Sequence, residues 1–432
     1  MGRSIQAAAA VRPRHEANGV TVEGPDEDLF TLAVAAIERL PPSEKAHGAL
    51  HLVGDFTEGV DWAFGEALGT EGLEVHRHGA GVAGLFQALV AASAVSPEAP
   101  SQLVVAADVS DGPPDRDGPR GAGATAFRLA DGPGAETVGH AARSHPSTRR
   151  PDAAAWVATA HRSLGRPEPA MIGALQVVAE APAPVLLAEW AKSAPSSVHR
   201  VLPWVAPGVG SVPSTVGAFA LFDLLGRSPA PTLACLAAIR PDRTEYLGVR
   251  TGPVVWSGDW ESPGGPLAPA RSTPGKAPGP SLPADAVSEG AYVPWARYVE
   301  NLPSRWRFQA EACAQCGFAA FPGRGTCPSC GAKDGLRPLD LPRNDLAVEA
   351  VTTISPGAQP TEFDWQVECS GPYSVVIVRL SPTVRATLQV ADAPGASLHV
   401  GDRVDTELRR LYLTEGRWRY GRKAVPRTAS TG

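Results

Sequence analysis

Four of the six cysteines in this 432-residue chain lie within one short segment, CAQCGFAAFPGRGTCPSC at positions 313–330. They form two C-x-x-C pairs with ten residues between them: Cys313 and Cys316, then Cys327 and Cys330. Pairs with this spacing place four thiolates tetrahedrally around one Zn²⁺ ion. Gly317 and Gly331 directly follow the pairs, and a glycine there lets backbone N–H groups approach the sulfurs. Redox dithiols and an iron–sulfur site are the competing interpretations.

Four sulfur ligands close the coordination sphere of a zinc ion. A closed site leaves no position for water or substrate, so the sequence predicts a structural zinc. We expect the ion to supply most of the folding energy of a short ribbon, on the order of 10 kcal/mol for comparable sites.

The overall composition narrows the class of protein. A chain of 432 residues predicts two or three domains, and an apolar fraction of 43% is enough for a buried core. The net charge of -6 argues against nucleic acid as a partner. No apolar run approaches the roughly 18–20 residues of a membrane span, and no signal-peptide core is present. These features predict a cytosolic protein without membrane contact, where paired cysteines bind metals more often than they form disulfides.

The first 257 residues alternate between helical and strand patterns. Apolar spacing predicts helices at 26–40, 82–94, 168–178, 183–192 and 212–226. Asp26 and Asp28 suit the N-terminus of the first helix. Short apolar runs predict strands at 48–55, 102–108, 124–132, 232–239 and 245–250. This alternation predicts an α/β layered domain over residues 1–257.

The composition changes abruptly after this domain. Half of the positions in 262–283 are proline or glycine, so we predict a semi-extended linker at 258–288. A short aromatic helix and the cysteine segment follow at 289–342. Strand-like runs with short turns then fill 343–427, and about five of them predict a small all-β barrel.

The C-terminal part resembles the zinc-ribbon plus OB-fold acyl-CoA-associated proteins. The resemblance rests on the aromatic helix AYVPWARYVENL, the cysteine segment and a barrel closing on YGRKAVP. Matching details are Pro322, Pro328, GPY at 371–373 and HVGDRV at 399–404. The resemblance implies an OB-fold and a role beside thiolase-like or hydroxymethylglutaryl-CoA-synthase-like enzymes. The sequence of the predicted barrel lacks the basic, aromatic groove that is typical of OB-folds that bind nucleic acid.

The N-terminal part resembles thiolase-like enzymes, which implies an αβαβα layered fold. The resemblance is carried by DEDLFTLAVAAIERL and by HGAGVAGLFQALVAA followed by QLVVAAD. Family members carry a nucleophilic cysteine at the tip of that helix, where the helix N-terminus lowers the thiol pKa. Here the aligned position is Gly81. The family's asparagine position falls on Pro213, and AEAPAPVLLAEW contains no histidine where the family has one.

Other side chains are weaker fits to a functional site. His76, His78 and His199 are candidates for a substitute acid, base or ligand contact. The alternative interpretation of His76 and His78 is that they are ordinary loop histidines. Cys235 lies within an apolar run, which predicts that it is a core residue. A structural role is also predicted for Cys369. Asp108 and Asp111 follow a strand, where solvated carboxylates are common, so no catalytic role is assigned to them.

Together these observations predict an accessory, non-catalytic subunit of an acyltransferase complex. The expected partner is a catalytic thiolase-like or ketosynthase-like protein, with acyl carrier protein as a further partner and assembly as a homo- or hetero-oligomer. The expected ligand is an acyl-CoA or acyl-carrier thioester. One alternative is an active acyltransferase of the hydroxymethylglutaryl-CoA-synthase-like type with rearranged chemistry. Another is a carrier-protein-binding scaffold without acyl-CoA contact.

Overall fold

A computed structural model of the chain provides the coordinates. It describes residues 3–13, 15–17, 20–43, 47–57, 59–110, 121–144, 174–179, 198–203, 205–206, 210–228, 230–239, 243–258, 293–360, 363–391, 398–414 and 417–427. The segment predicted as a helix at 183–192 and nearly all of the predicted linker lie outside these residues.

The chain divides into two compact units. The N-terminal unit comprises Met1–Glu23, Asp28–Val60 and Gly72–Ala268. The C-terminal unit comprises Gly24–Glu27, Asp61–Glu71 and Pro269–Gly432. Two short segments from early in the chain therefore belong to the C-terminal unit. The boundary that the sequence predicts at 257/258 stays a prediction.

The helices and strands of the described residues have these bounds. The helices are α1 (Leu29–Glu38), α2 (Asp61–Leu68), α3 (Val82–Ala94), α4 (Thr215–Arg227), α5 (Trp295–Glu300), α6 (Leu302–Arg307) and α7 (Asp364–Ser370). The strands of the N-terminal unit are β1 (Ser4–Val11), β2 (His15–Ala17), β3 (Val20–Val22), β4 (His47–Val53), β5 (Glu74–His78), β6 (Ser101–Asp108), β7 (Gly123–Ala130), β8 (Ala135–Ser144), β9 (Ala174–Ala179), β10 (Val198–Pro203), β11 (Val205–Ala206), β12 (Gly210–Ser211), β13 (Leu233–Ile239), β14 (Arg243–Arg250) and β15 (Val255–Gly258). None of these helices is long and apolar enough to cross a membrane.

The N-terminal unit contains the same five-stranded arrangement twice. The first copy has the spatial order β5-β4-β6-β7-β1, and the second has the order β10-β9-β13-β14-β8. When the strands of a copy are numbered along the chain, their spatial order is third, second, fourth, fifth, first. The third, second and fourth strands are parallel to one another, and the fifth runs antiparallel to its two neighbours, the fourth and the first. A short antiparallel pairing of β1 with β8 joins the two copies into one sheet. This duplication confirms the predicted α/β layered domain.

Two equivalent helices form the centre of the duplicated unit. Helix α3 precedes the fourth strand of the first copy, and α4 precedes the fourth strand of the second. Each has 13 residues. The core cluster draws on both helices and on the strands around them, and it includes Leu85, Phe86, Phe127 and Phe219. All eight residues of β6 are buried, which explains its continuous apolar sequence.

Two sequence expectations are wrong in this unit. The predicted helix at 168–178 is a strand where the structure describes it, since β9 pairs in parallel with both β10 and β13. A short apolar run cannot distinguish a buried strand from a buried helix by periodicity. Asp28 is the N-cap of α1, in a reciprocal capping box with Thr31, whereas Asp26 lies outside the helix.

The C-terminal unit contains a three-stranded ribbon and a five-stranded barrel. The ribbon has the order β17-β16-β18 and the barrel the order β21-β20-β19-β22-β23. Their bounds are β16 (Gln309–Cys313), β17 (Ala319–Ala320), β18 (Leu336–Asp340), β19 (Leu346–Ile354), β20 (Tyr373–Arg379), β21 (Arg385–Gln389), β22 (Arg403–Thr414) and β23 (Arg417–Pro426). A parallel bridge between Val390 and Ala424 closes the barrel. This partly open five-stranded barrel is the predicted OB-fold.

A buried ion cluster attaches the segment Gly24–Glu27 to the barrel within the C-terminal unit. The Asp26 carboxylate lies 2.9 Å from Lys423 Nζ, and Glu27 pairs with Arg409. Lys423 is fully buried and also donates to Gln366 Oε1 at 3.3 Å. Buried charges are tolerated only when they are paired. Asp26 is therefore held at the buried Lys423 of the barrel, and α1 begins after it.

Candidate metal centre and helix junction

The four clustered cysteines lie on two turns of the same backbone geometry. In each turn the glycine after the second cysteine donates its N–H to the carbonyl of the first cysteine: Gly317 to Cys313 and Gly331 to Cys327, both at 2.9 Å. The two glycines have φ of 73° and 77°, in the left-handed region that the sequence predicts. The ribbon therefore presents two equivalent knuckles.

The four sulfurs are spaced as zinc ligands. Cys313 Sγ lies 3.7 Å from Cys330 Sγ, and Cys316 Sγ lies 3.5 Å from Cys327 Sγ. All four ligand atoms lie within 4.8 Å of one another. A tetrahedral ion with Zn–S bonds of about 2.3 Å requires S···S distances of about 3.8 Å. These residues therefore fit one Zn²⁺, as predicted.

The surroundings of the sulfurs favour a structural ion. Cys313 and Cys327 are buried in the ribbon, while Cys316 and Cys330 are exposed. A hydrogen bond from the Cys330 backbone lowers the pKa of Cys327, whereas side-chain hydrogen bonds with the other three cysteines raise the pKa of Cys330. A bound cation would favour the thiolate form of all four. With four thiolates, the bound ion would link the knuckles and keep no open position.

Removal of zinc should unfold the ribbon and spare the barrel. We expect hydrogen exchange of the ribbon strands β16–β18 to rise to unprotected rates once metal analysis confirms that zinc is gone. The barrel strands β19–β23 provide the internal control, because they supply most of the apolar core that they share with Ala310 of β16. Cys327→Ser should reproduce the effect and Cys235→Ala should not, since Cys235 lies in β13. A fully protected ribbon in the verified zinc-free protein would contradict the structural role.

The N-termini of α3 and α4 meet at the centre of the N-terminal unit. Gly81 is the residue before α3, and its N–H donates to the Ser214 hydroxyl at 3.2 Å. Ser214 is in turn the residue before α4. We call this meeting point the helix junction, and define it by Gly81, Val82, Asp108, Ser214 and Thr215.

Asp108 organises the helix junction, which corrects the expectation of a solvated carboxylate. Its side chain accepts hydrogen bonds from the Ser214 N–H at 3.0 Å and from the Thr215 N–H at 2.7 Å. The Thr215 hydroxyl donates to the same carboxylate at 2.8 Å. Burial raises the pKa of Asp108, while these hydrogen bonds act in the opposite direction. A carboxylate at the first turn of a helix satisfies N–H groups that have no partner within the helix.

No nucleophilic side chain stands at the start of α3. The segment 79–86 reads GAGVAGLF, and the first helical residue, Val82, is buried. Gly81 has φ of 91° and ψ of 177°, a conformation essentially restricted to glycine. A Cβ built on Gly81 would lie 3.8 Å from its nearest neighbour, the Pro213 carbonyl oxygen. Position 81 therefore has space for a side chain but a backbone unsuited to one.

Gly81→Ala should destabilise the N-terminal unit through backbone strain alone. We expect its free energy of unfolding to fall by about 1–3 kcal/mol, the usual cost of a residue held in this region. Gly226→Ala is the matched control, because Gly226 lies within α4 and an added Cβ there would contact nothing within 4 Å. The control should be neutral or stabilising by up to about 1 kcal/mol. Equal denaturation midpoints for the two variants would rule out strain at Gly81.

The structure places His76 and His78 in strand β5, not in a loop, and adds a third histidine that the sequence reading missed. His51 of β4 is the register partner of His76. Its Nδ1 lies 3.0 Å from His78 Nε2, and its ring stacks on that of His76 with centroids 4.8 Å apart. Burial lowers the pKa of His51 to about 4 and also lowers the pKa of His78. We call these three residues the histidine cluster.

Among the remaining sequence candidates, the structure describes the side chain of Cys235. Cys235 is buried in β13 as predicted, and burial raises its pKa to about 12. His199 falls in β10 and Cys369 in α7, but their side chains lie outside the description. Asp111 and the stretch where the family's histidine was expected are outside the described residues.

Arginine side chains of the barrel stack on nearby aromatic rings. Arg419 and Arg417 place their guanidinium carbons 4.5 Å and 5.1 Å from the ring centroid of Trp295. Arg410 lies similarly over Trp418, at 4.8 Å. Arg419 is fully buried, whereas Arg417 is exposed beside the half-buried Trp295. The basic, aromatic surface of the barrel is therefore formed by side chains of α5, β22 and β23 such as Arg417 and Trp295.

Comparison with known proteins identifies one curated relative and several solved structures. A DUF35 domain-containing scaffold protein from Methanothermobacter thermautotrophicus strain Delta H is 30% identical over 130 residues, 30% of this chain and 92% of the relative. The segment from α5 to the end of β23 has about this length. No protein-family model matches the chain.

The solved structures resemble the chain over 58% of its length. They include the acyltransferase ChlB3, with 16% identity, a TM-score of 0.46 and 98% of that chain covered. They also include 3-oxoacyl-[acyl-carrier-protein] synthase III from Aquifex aeolicus, with 15% identity, a TM-score of 0.44 and 100% covered. Both TM-scores are below 0.5, so the fold assignment rests on the duplicated topology and not on these likenesses.

Proposed function

We propose, on the premise that this chain belongs to the DUF35-domain proteins, that it is an accessory, non-catalytic subunit of a thiolase-like acyltransferase system. In this proposal a catalytic thiolase-like or ketosynthase-like protein performs the carbon–carbon bond formation. The present chain assists its assembly and the handling of the acyl thioester, in the cytosol where thiolate ligands stay reduced.

The single observation that carries the proposal is the helix junction. Covalent acyl transfer needs a nucleophile with an adjacent activating group. The start of α3 offers only Gly81 and Val82, and the start of α4 offers Ser214 and Thr215, which bond Gly81 and Asp108. The Thr215 hydroxyl is fully buried and donates to Asp108, so it is engaged in holding α4. A centre built in this way supports a structural role for the N-terminal unit.

The C-terminal unit supports the accessory role. The curated relative is called a scaffold protein, and it corresponds in length to the ribbon and barrel without an N-terminal unit such as this chain has. A zinc ribbon closed by four thiolates provides a rigid platform rather than a reaction centre. We assign scaffolding of the catalytic partner to this unit.

Contact with acyl-CoA is proposed for the arginine and aromatic surface of the barrel. CoA carries phosphates and an adenine ring. Guanidinium groups bind phosphates, and aromatic rings stack on the base. Exposed Arg417 beside Trp295 has this chemistry. Recognition of a carrier protein, or scaffolding without acyl-CoA contact, would leave this surface without a ligand.

The alternative of an active enzyme with rearranged chemistry draws on the histidine cluster. His51 and His78 form a hydrogen-bonded imidazole pair, and imidazole is the commonest general base in enzymes. His51 has 3% of its surface exposed, however, which limits its contact with a substrate. We therefore favour the accessory role.

Co-expression with an intact thiolase-like protein that has its cysteine tests the proposal. The partner is chosen from the neighbouring genes. We expect the two proteins to co-purify, and the partner's acyl-CoA condensation rate to fall when this chain is omitted. Replacing the partner's cysteine should abolish the activity of the pair, while Ser214→Ala in this chain should leave it in place. Condensation of acyl-CoA by this chain alone, at enzyme-like rates, would contradict the proposal.

A further inference from the structure

The histidine cluster lies on one face of two neighbouring parallel strands. Residues two apart on a strand share a face, so His76 and His78 project to the same side of β5. His51 is level with His76 on β4 and contacts both rings, with centroids 4.8 Å from His76 and 5.3 Å from His78. A His-x-His pair with a third histidine on the adjacent strand is an arrangement that can deliver three imidazoles to one point.

Gln102 settles which nitrogen of His51 carries the proton. The Gln102 side-chain N–H donates to the Pro100 carbonyl at 3.1 Å, which orients the amide. Its Oε1 therefore faces His51 Nε2, at 3.4 Å, and accepts a hydrogen bond from it. With the proton on Nε2, His51 Nδ1 presents a lone pair toward His78. Metal-binding histidines typically have this outer partner, which fixes the ring and its tautomer.

Two donor atoms are already spaced as ligands. Zn–N bonds of about 2.0–2.1 Å at a tetrahedral ion require N···N distances of about 3.3 Å. His51 Nδ1 and His78 Nε2 are 3.0 Å apart. To bind an ion between them, the His78 proton need only move from Nε2 to Nδ1, so neutral rings lose no proton overall.

The third donor requires a ring rotation. Among the described residues, the four cysteines alone place three or more ligand atoms within 4.8 Å of one another. The His76 ring must therefore turn to join the other two, and its side chain is 42% exposed. Its Nε2 lies 3.7 Å from Glu74 Oε1, and Glu74 shares the face as a carboxylate able to orient the ring or bind the ion.

We propose that His51, His76 and His78 form a second transition-metal site, which binds a divalent ion such as Zn²⁺ through three ring nitrogens. Imidazole donors select zinc, copper, nickel and cobalt over magnesium and calcium. The site differs from the cysteine centre because it has nitrogen in place of sulfur and leaves a fourth position open to water. The positive charge of Arg77 lies on the other face of the strand, where its guanidinium donates to the Thr57 carbonyl.

Zinc counting on the full chain tests the proposal. The protein is purified with zinc in the cysteine centre, titrated with further Zn²⁺, passed over a desalting column and analysed for metal. We expect a second zinc per chain in the wild type and loss of that second ion in His78→Ala and His76→Ala. His47→Ala is the matched control, since His47 lies on β4 but bonds Ser101 at 2.8 Å. Hydrogen exchange of β4 and β6 at wild-type rates in every variant shows that the N-terminal unit remains folded.

Cobalt distinguishes the two sites by their donor atoms. Co²⁺ added to the zinc-loaded chain should produce visible ligand-field bands without the near-ultraviolet sulfur charge-transfer band of a thiolate site. Gln102→Leu should weaken Co²⁺ binding by about 10–100-fold, the usual effect of removing an outer partner. Failure of the wild type to take up a second ion, or equal uptake by His78→Ala, would overturn the proposal.

Discussion

The hydrogen bonds of one buried carboxylate, Asp108, determine how the centre of the N-terminal unit is built. The carboxylate ends β6 in the first copy of the duplicated fold and accepts the N–H groups that begin α4 in the second. Ser214, held in this way, accepts the Gly81 N–H at the start of α3. The place where two helix N-termini converge, and where a nucleophile would benefit most, is therefore filled by the protein's own hydrogen bonds.

The two units have different sources of stability. The N-terminal unit depends on a large apolar core between its helices and its joined sheet. The ribbon of the C-terminal unit has few buried residues and depends on four thiolates around an ion, while the barrel supplies most of the apolar core that the two share. A metal that is fully coordinated by sulfur contributes rigidity and not chemistry. Among the described residues, neither the helix junction nor the ribbon presents a free nucleophile, and the contribution that we propose for the chain is to position other molecules.

Local patterns in the sequence predict much of this structure, and long-range contacts account for what they miss. Cysteine spacing predicts the zinc ligands because both knuckles are local. Apolar spacing predicts the bounds of α3 because its buried apolar residues run from Val82 in the first turn to Ala92 in the last. The sequence predicts a helix at β9 because a short apolar run is compatible with a helix or a strand. Pairing with parallel neighbouring strands makes this segment a strand. The burial of Asp108 depends on partners more than 100 residues away. The sequence does not indicate a role for His51, because it is the β4–β5 register that places His51 beside His76.

The central claim is that this chain handles acyl thioesters without forming an acyl-enzyme, and intact-mass measurement tests it most directly. The isolated chain is incubated with a short acyl-CoA and its mass is measured under both native and denaturing conditions. The account predicts a non-covalent acyl-CoA complex in the native spectrum and an unmodified chain in the denaturing spectrum. A mass increase of one acyl group that survives denaturation and maps to the helix junction or the histidine cluster would contradict it.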